Sequence, residues 1–434
     1  MPSDVWGGLE CTVNRVGSDF FDQVCRTGHH WRIADLEQFA KVGFSKLRYP
    51  VLWERTAPHG TPDWNWPTTR LNKLRDLGID PIVGLLHHGS GPSCTSLIDP
   101  EFPRRFSQYA RAVAERFPWV EHYTPINEPL TTARFSTLYG HWYPHACDTR
   151  MFLRAVFVQC RAVALAMQEI RKVNPAAKLI QTEDLGKVFA VPNLQYQADF
   201  ENHRRWLTFD LLCGHVDQQH PLWKFILGCG VTRGELAWFQ ENPCAPDIIG
   251  MNHYVTSDRF LDDRLEHYPP GVHGTNGRHR YADVEAVRVN ISAPLGPEAR
   301  LREICQRYDC AVALTEVHIG CTIDEQIRWF CEAWNAASQL QREGADIRGV
   351  TAWALLGSYD WNSLLTRQDG VYESGVFDLR GGNLQPTELA GVIRQIARGC
   401  EPEHPALEDT GWWRKSESAC YLPSADTCDN VCAI

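Results

Sequence analysis

Two glutamates stand directly after short apolar runs and could act together as a pair of carboxyl groups. Glu128 follows the run Tyr123–Asn127, and Glu316 follows the run Ala311–Thr315. A protonated carboxyl group can donate a proton to the oxygen of a glycosidic bond, while an ionised one attacks or stabilises the anomeric carbon. No histidine cluster with metal-ligand spacing accompanies them, so we expect neither a metal nor a cofactor. These residue types favour cleavage of a glycosidic bond.

The elements that would position these residues are short apolar runs that alternate with longer segments of helical periodicity. The alternation predicts βα units and a parallel sheet. The predicted strands are Val5–Glu10, Lys46–Tyr49, Pro81–His87, Tyr123–Asn127, Lys178–Thr182, Asp247–Asn252, Ala311–Thr315 and Gly349–Leu356. The predicted helices are Ile33–Val42, Thr69–Leu77, Phe102–Arg116, Phe152–Val173, Trp206–Leu212, Ile323–Gln341 and Glu388–Ala397. Such a series predicts a single (β/α)8 TIM barrel, an α/β fold whose functional residues lie at the carboxyl ends of the strands.

Acidic residues at strand ends are more often structural than catalytic. Glu183 and Asp184 follow the fifth predicted strand, and we interpret both as a helix cap or salt-bridge partner. His87 and His88 would by themselves also be structural residues. Glu128 and Glu316 differ because the sequence around each carries a recognisable motif.

Composition and charge exclude several classes of function. The 434 residues carry a formal net charge of −10, which argues against nucleic acid as a partner. No apolar stretch is long enough to predict a membrane span, and Met1–Asp4 does not begin a secretory signal. Most of the 16 cysteines lie in apolar runs, where cysteine behaves as a small buried hydrophobe. We expect a cytoplasmic protein with mostly reduced thiols.

The composition changes after Arg398. Residues 399–434 contain four cysteines (Cys400, Cys420, Cys428 and Cys432) in polar sequence without periodicity. We therefore predict a barrel over residues 1–398 and an appended C-terminal tail over 399–434 that is no independent domain. Deletion from Gly399 should leave the fold intact, unless Trp412 and Trp413 dock on the barrel.

The segments around both glutamates resemble glycoside hydrolase family 1, the β-glucosidase-like retaining enzymes. Thr124–Pro129 matches the family's T-x-N-E-P segment, and Thr315–His318 matches its T-E-N-G segment in part. The resemblance implies that Glu128 is the general acid/base and Glu316 the nucleophile. The implied activity is hydrolysis of a small-molecule β-glycoside by double displacement.

Further motifs follow the family's order along the chain. Leu47–Pro58 resembles Y-R-F-S-x-x-W-x-R-x-x-P, Leu86–Pro92 resembles L-x-H-W-x-x-P, Asp247–Tyr254 resembles D-F-x-G-x-N-Y-Y, and Trp353–Trp361 resembles W-S-L-L-D-N-F-E-W. The resemblance implies that Arg48, Asn252 and Tyr254 support catalysis. It also implies that His88, Asn127, Trp353, Asp360 and Trp361 bind the sugar, with Asn127 at the 2-hydroxyl and Trp353 beneath the ring.

The sequence departs from the family at several of these positions. The first strand lacks the family's sugar-binding glutamine, and Glu10 or Asn14 could replace it. Val317 and His318 stand after the nucleophile in place of asparagine and glycine, and Asp360 replaces a glutamate. The chain also resembles a divergent branch in which such a barrel precedes a dTDP-4-dehydrorhamnose reductase, because Gly411–Arg414 is similar to the start of that second half.

Two other functions remain compatible with these residues. One is a transglycosidase or another tailoring enzyme that uses the same glutamates on a glycoside. The other is a carbohydrate-binding protein on a glycosidase scaffold that no longer turns over substrate. The sequence leaves these alternatives, the sugar and the oligomeric state open.

Overall fold

The computed structural model describes residues 4–415, and these form a closed barrel of parallel strands. The barrel strands are β1 Asp4–Gly8, β2 Lys46–Pro50, β3 Asp80–His87, β4 His122–Asn127, β5 Lys178–Asp184, β6 Ile248–Asn252, β7 Ala311–Val317 and β8 Ile347–Ala352. Neighbours in sequence are neighbours in the barrel, and β1 closes the ring by pairing with both β2 and β8. The predicted single (β/α)8 barrel is confirmed.

The interior of the barrel is filled by side chains from alternating strand positions. Trp6, Ile82, Ile180, Ile248 and Ala313 form one buried cluster inside the ring. The opposite faces of the same strands pack against the surrounding helices in a second, larger core. Strands that are buried on both faces read as continuous apolar runs, which is why the sequence predicted them.

A long helix follows most strands and covers the outside of the barrel. The helices are α1 Asp35–Val42, α2 Asn65–Asp76, α3 Phe102–Arg116, α4 Thr149–Val173, α5 Leu207–Leu212, α6 Pro297–Arg307, α7 Ile323–Arg342 and α8 Glu388–Ala397. Shorter helices are Gln23–Arg26, Trp53–Thr56, Pro129–Ala133, Gln195–Arg204, Trp223–Gly228 and Arg233–Glu241. Within residues 4–415, α4 is the one helix long and apolar enough to cross a membrane, but 72% of its most apolar window is buried inside the protein. This burial, against α3 among others, is that of a core helix.

Two features of the sixth unit were not predicted. The segment after β6 contains α6, and a small sheet forms beside it from the strands His273–Thr275, Arg280–Glu285, Arg259–Asp262 and Val188–Ala190, in that order. The sheet has its own apolar cluster around Phe260 and Val284. It stands next to the carboxyl end of the barrel, because Val188 follows shortly after β5.

The segment after α8 returns to the barrel surface. Trp413 is 6% exposed, its ring meets Trp329 of α7 edge-on at 5.1 Å, and its indole N–H donates to Glu332 at 2.8 Å. Arg328 of α7 donates to the carbonyl of Ala406 at 2.7 Å. Trp413 therefore docks on the barrel, which is the exception that the sequence analysis allowed. The boundary at residue 398 stays a prediction, and Cys420, Cys428 and Cys432 lie outside the described residues.

Candidate active site

A cavity of about 110 Å³ opens at the carboxyl ends of the barrel strands. We call it the central cavity. Seven of the predicted site residues line it: Glu10, His88, Glu128, Tyr254, Glu316, Trp353 and Trp361. Ligand sites of parallel barrels lie at this end because the loops after the strands vary while the barrel holds them rigidly.

Glu316 lies in β7 and is held through both of its carboxylate oxygens. Arg48, from β2, donates to Oε1 at 2.8 Å and to the carbonyl of Thr315 at 2.6 Å. The hydroxyl of Tyr254 donates to Oε2. Glu316 is 2% exposed, so its orientation is fixed by a cation on one oxygen and a hydroxyl on the other.

Glu128 follows β4 in very different surroundings. Its backbone adopts the left-handed conformation (φ 45°), which turns the chain out of the strand and into the helix Pro129–Ala133. Residues held in this sparsely populated region cluster at functional sites. Asn252 donates to its Oε1 at 2.6 Å, and Nε2 of His88 lies 3.7 Å from its Oε2.

The two carboxyl groups differ in the balance of forces on their protonation. Burial raises the pKa of Glu128 well above its usual range, and the negative charges of Glu316 and Glu183 raise it further. Burial also raises the pKa of Glu316, but Arg48 and the Tyr254 hydroxyl oppose this rise. Burial, followed by the charge of Arg48, lowers the pKa of His88 to about 3, so the imidazole next to Glu128 is neutral. Burial thus raises the pKa of both glutamates, but only Glu316 has a cation in contact that opposes the rise.

Arg48 and Asn252 lie beneath the cavity and hold its glutamates. The guanidinium of Arg48 also stands 4.7 Å from the centre of the Trp353 ring, which stacks on His87 at 5.6 Å. The amide oxygen of Asn252 accepts from the hydroxyl of Thr315 at 2.7 Å. Both residues therefore contact carboxyl groups that line the cavity, and their supporting role in catalysis stays a prediction.

Two predicted sugar ligands do not line the central cavity. The amide oxygen of Asn127 accepts from Arg48 at 2.7 Å and from Thr182 at 2.8 Å, so its polar atoms are engaged below the cavity. The carboxylate of Asp360 accepts from Arg26 at 2.8 Å and from the backbone N–H of Val371 at 2.8 Å. Both side chains thus have protein partners, and the predicted contacts of Asn127 with a 2-hydroxyl and of Asp360 with an outer hydroxyl stay predictions.

The first strand presents Glu10 rather than Asn14 to the cavity. One oxygen of Glu10 accepts from the backbone N–H of Thr12 at 2.8 Å. Burial raises the pKa of Glu10 to about 7, against the hydrogen bonds from Thr12. Asn14 is fully buried and donates to the carbonyl of Leu365 at 3.1 Å. Of the two alternatives left open by the sequence, Glu10 lines the central cavity and Asn14 does not.

Glu183 is structural, as interpreted from the sequence. Its Oε1 accepts from the backbone N–H of Leu130 and the hydroxyl of Thr208, both at 2.6 Å. It thus satisfies a free N–H at the start of the helix that follows Glu128. Asp184, in contrast, lines the central cavity, although its oxygens accept from the backbone N–H of Gly186 and the hydroxyl of Ser257.

The remaining lining residues were not singled out as site residues from the sequence: Thr131, Arg134, Phe135, Thr256, His318, Ala354, Ser358 and Glu373. His318 stands two positions after Glu316, and its imidazole lies 3.4 Å from the carboxylate of Glu373. For the part of the cavity wall formed by His318 and Glu373, the one sequence feature that pointed to the site was the departure from the family pattern at His318. Among residues 4–415, no group of three or more histidine, cysteine or acidic side chains is arranged to hold a metal ion.

With this geometry in place, comparison with known proteins decides the family. Residues 9–373 match the model of "Glycosyl hydrolase family 1". The chain belongs to glycosyl hydrolase family 1.

Family 1 relatives cover nearly the whole chain at low identity. Beta-glucosidase 4 of Oryza sativa subsp. japonica is 23% identical over 93% of this chain and 91% of its own length. Coniferin beta-glucosidase of Pinus contorta is 22% identical over 85% of this chain and 82% of its own. The family 1 b-glucosidase from Thermotoga maritima superimposes with a TM-score of 0.74 at 17% identity, over 92% of this chain and 99% of that one. The last similarity shows a shared fold. The comparisons do not show the resemblance to a reductase fusion.

Proposed function

We propose that this family 1 protein is a retaining β-glycosidase in which Glu316 is the nucleophile and Glu128 the general acid/base. One observation carries the proposal: two buried carboxyl groups line one cavity, and a cation touches one of them but not the other. Retaining chemistry requires one ionised carboxylate and one protonated carboxyl group, about 5–5.5 Å apart. The names of the β-glucosidase relatives support the β-configuration of the substrate.

In the first step Glu316 attacks the anomeric carbon and forms a glycosyl ester. The bond to the glycosidic oxygen breaks at the same time, and Glu128 donates its proton to that oxygen. Arg48 and Tyr254 hold the attacking carboxylate in its ionised form and fix its direction. Trp353 offers an apolar face in the cavity wall against which the sugar ring can rest.

In the second step Glu128, now ionised, takes a proton from water while the water oxygen attacks the anomeric carbon. The ester to Glu316 breaks, the sugar leaves with its configuration retained, and Glu128 is protonated again. The loss of negative charge on Glu316 during the first step lowers the pKa of Glu128, which suits its change from acid to base.

A panel of nitrophenyl β-glycosides that differ in the sugar tests the proposal. We expect the parent enzyme to cleave at least one of them, and Glu316→Gln and Glu128→Gln to lose most of that activity. Glu373→Gln makes the same change at another carboxylate that lines the cavity and should stay within a few fold of the parent. A parent that binds one sugar tightly but cleaves none is a carbohydrate-binding protein. Transfer of the sugar to an added alcohol instead of water identifies a transglycosidase.

A further inference from the structure

Arg134 stands at the junction of two cavities. It begins the helical turn Arg134–Leu138, six positions after Glu128. It lines the central cavity and also an outer cavity of about 370 Å³ that lies against the small sheet. The two cavities share Arg134, Phe135, Asp184 and Thr256, so they are parts of one continuous depression.

The guanidinium of Arg134 makes no hydrogen bond and no ion pair with any side chain in the part of the chain that the structure describes. Its Nε atom is buried and unpaired. The acidic groups around it are engaged elsewhere: Glu201 pairs with Arg204, and Asp184 accepts from Gly186 and Ser257. Arg134 as a whole is only partly buried, and no carboxylate of the described residues lies at ion-pair distance from it, so its guanidinium can pair with an anionic ligand that enters the cavity.

The position of Arg134 matches the side of the cavity where the leaving group must lie. If Glu128 protonates the glycosidic oxygen, the aglycone extends from Glu128 away from Glu316. Arg134 lies on the chain segment that follows Glu128. The outer cavity, which Arg134 also lines, is continuous with the central cavity on this side. The outer cavity has the volume of a site for a small organic molecule, so it has room for an aglycone of that size.

We infer that Arg134 binds an anionic group, such as a carboxylate, on the aglycone of the substrate. The inference rests on the proposed function and adds a substrate class to it. The other arginines of the outer wall have carboxylate partners: Arg204 pairs with Glu201, Arg205 with Glu303, and Arg259 with Asp283. Arg134 is left to recognise the ligand, and its planar fork can hold a carboxylate through two parallel hydrogen bonds.

The test compares 4-carboxyphenyl and 4-carboxamidophenyl β-glycosides of the best sugar from the panel. These aglycones have similar shape and differ in charge. We expect Arg134→Gln to lower kcat/KM for the carboxylate at least 10-fold more than for the amide. Arg134→Lys should retain part of the preference, because it keeps the charge and loses the fork. Arg302→Gln removes an ion-paired arginine outside both cavities and should leave the ratio of the two kcat/KM values unchanged.

The same pair as thioglycosides, which resist cleavage, gives the preference from calorimetric binding without turnover. A protein that cleaves neither glycoside but shows an Arg134-dependent preference in binding contradicts the proposed function and supports the inference. An active enzyme whose ratio is the same in the parent and in Arg134→Gln overturns the inference and leaves the glycosidase intact. The absence of any such preference in both turnover and binding also overturns it.

Discussion

At the scale of single residues, Glu316 and Glu128 occupy one cavity and face different partners. The difference matters because a nucleophile forms a bond to carbon, whereas an acid/base only moves a proton. Removal of either side chain leaves space that a small anion can enter, but the anion would attack the sugar from opposite faces in the two variants. The anomeric configuration of the product therefore reports which glutamate has been removed.

We expect azide to rescue Glu316→Ala on an activated aryl β-glycoside and to give the α-glycosyl azide, because attack comes directly from the nucleophile's side. In Glu128→Ala the glycosyl ester still forms with a good leaving group, and azide then gives the β-glycosyl azide. Proton NMR of the products distinguishes the two anomers. The same anomer from both variants would contradict the assignment of roles.

The hydrogen bonds to the two glutamates predict effects on different limbs of the pH profile of kcat/KM. The Tyr254 hydroxyl lowers the pKa of Glu316, so Tyr254→Phe should raise it and move the acidic limb to higher pH. Asn252 lowers the pKa of Glu128, so Asn252→Ala should raise it and move the alkaline limb to higher pH. The profile reports the free enzyme. Movement of the wrong limb in either variant would exchange the roles of the two glutamates.

The sequence predicted these residues better than it predicted where their side chains point. Motif spacing located Glu128, Glu316, Arg48 and Tyr254 because each lies in or just after a strand that the barrel fixes in place. It did not reveal that Arg48 holds the side chain of Asn127 or that Arg26 holds that of Asp360, since a motif does not specify side-chain partners. Arg134 had no sequence signal at all, because its role depends on which neighbouring acids are engaged elsewhere.

At the scale of elements, the sequence predicted the strands better than it predicted the segments that connect them. Apolar runs predicted all eight barrel strands, because strands buried on both faces have little choice of residues. Helix α6 was missed because it has few buried apolar positions, Leu301 and Ile304 among them, and it buries Arg300 as well. The last strand was predicted to continue to Leu356 because Trp353–Leu356 stay buried after leaving the barrel.

The short helix Trp53–Thr56 after β2 carries a buried acid outside the proposed catalytic machinery. Oε1 of Glu54 accepts from the backbone N–H of Gly91 at 2.9 Å, and its Oε2 has no partner among the described residues. Burial raises the pKa of Glu54 to about 8. The folded protein therefore holds a proton here that the unfolded chain releases above pH of about 4.3, so stability present at low pH is lost as the pH rises toward 8.

We expect Glu54→Gln to remove this loss, because the amide keeps the bond to Gly91 and carries no charge. Between pH 5 and 8 the free energy of unfolding of the variant should fall less steeply than that of the parent, by up to about 1.4 kcal/mol per pH unit. Urea denaturation at several pH values measures the slope. Glu115→Gln, on the surface of α3, is the control and should follow the parent. Parallel slopes for Glu54→Gln and the parent would contradict the raised pKa.

At the scale of the whole molecule, the described part of the C-terminal segment belongs to the folded body. The side chain of Trp413 packs against α7. Burial of a large aromatic side chain contributes about 3 kcal/mol or more to the free energy of unfolding. The original expectation that residues from Gly399 can be deleted without consequence is therefore replaced by a more specific one.

A chain that ends at Arg398 should have a clearly lower melting temperature than one that ends at Lys415, because only the longer chain keeps the contacts of Trp413 and Ala406. Trp413→Ala alone should lower the free energy of unfolding by about 3 kcal/mol. Trp31→Ala is the matched control, since Trp31 is 70% exposed. Equal melting temperatures for the two truncated chains would show that the docked segment does not stabilise the barrel.

The closure of the ring by β1 and β8 also has a consequence for synthesis on the ribosome. β1 can pair with β2 early, through Trp6 and Lys46, but its other edge waits for Gly349–Ala352. At about 5–20 residues per second, the roughly 300 residues between β2 and β8 take about 15 to 60 s to emerge. During that interval the nascent chain presents an apolar strand edge of the kind that pairs with other chains. The first strand made is thus the last whose hydrogen-bonding edges are both paired.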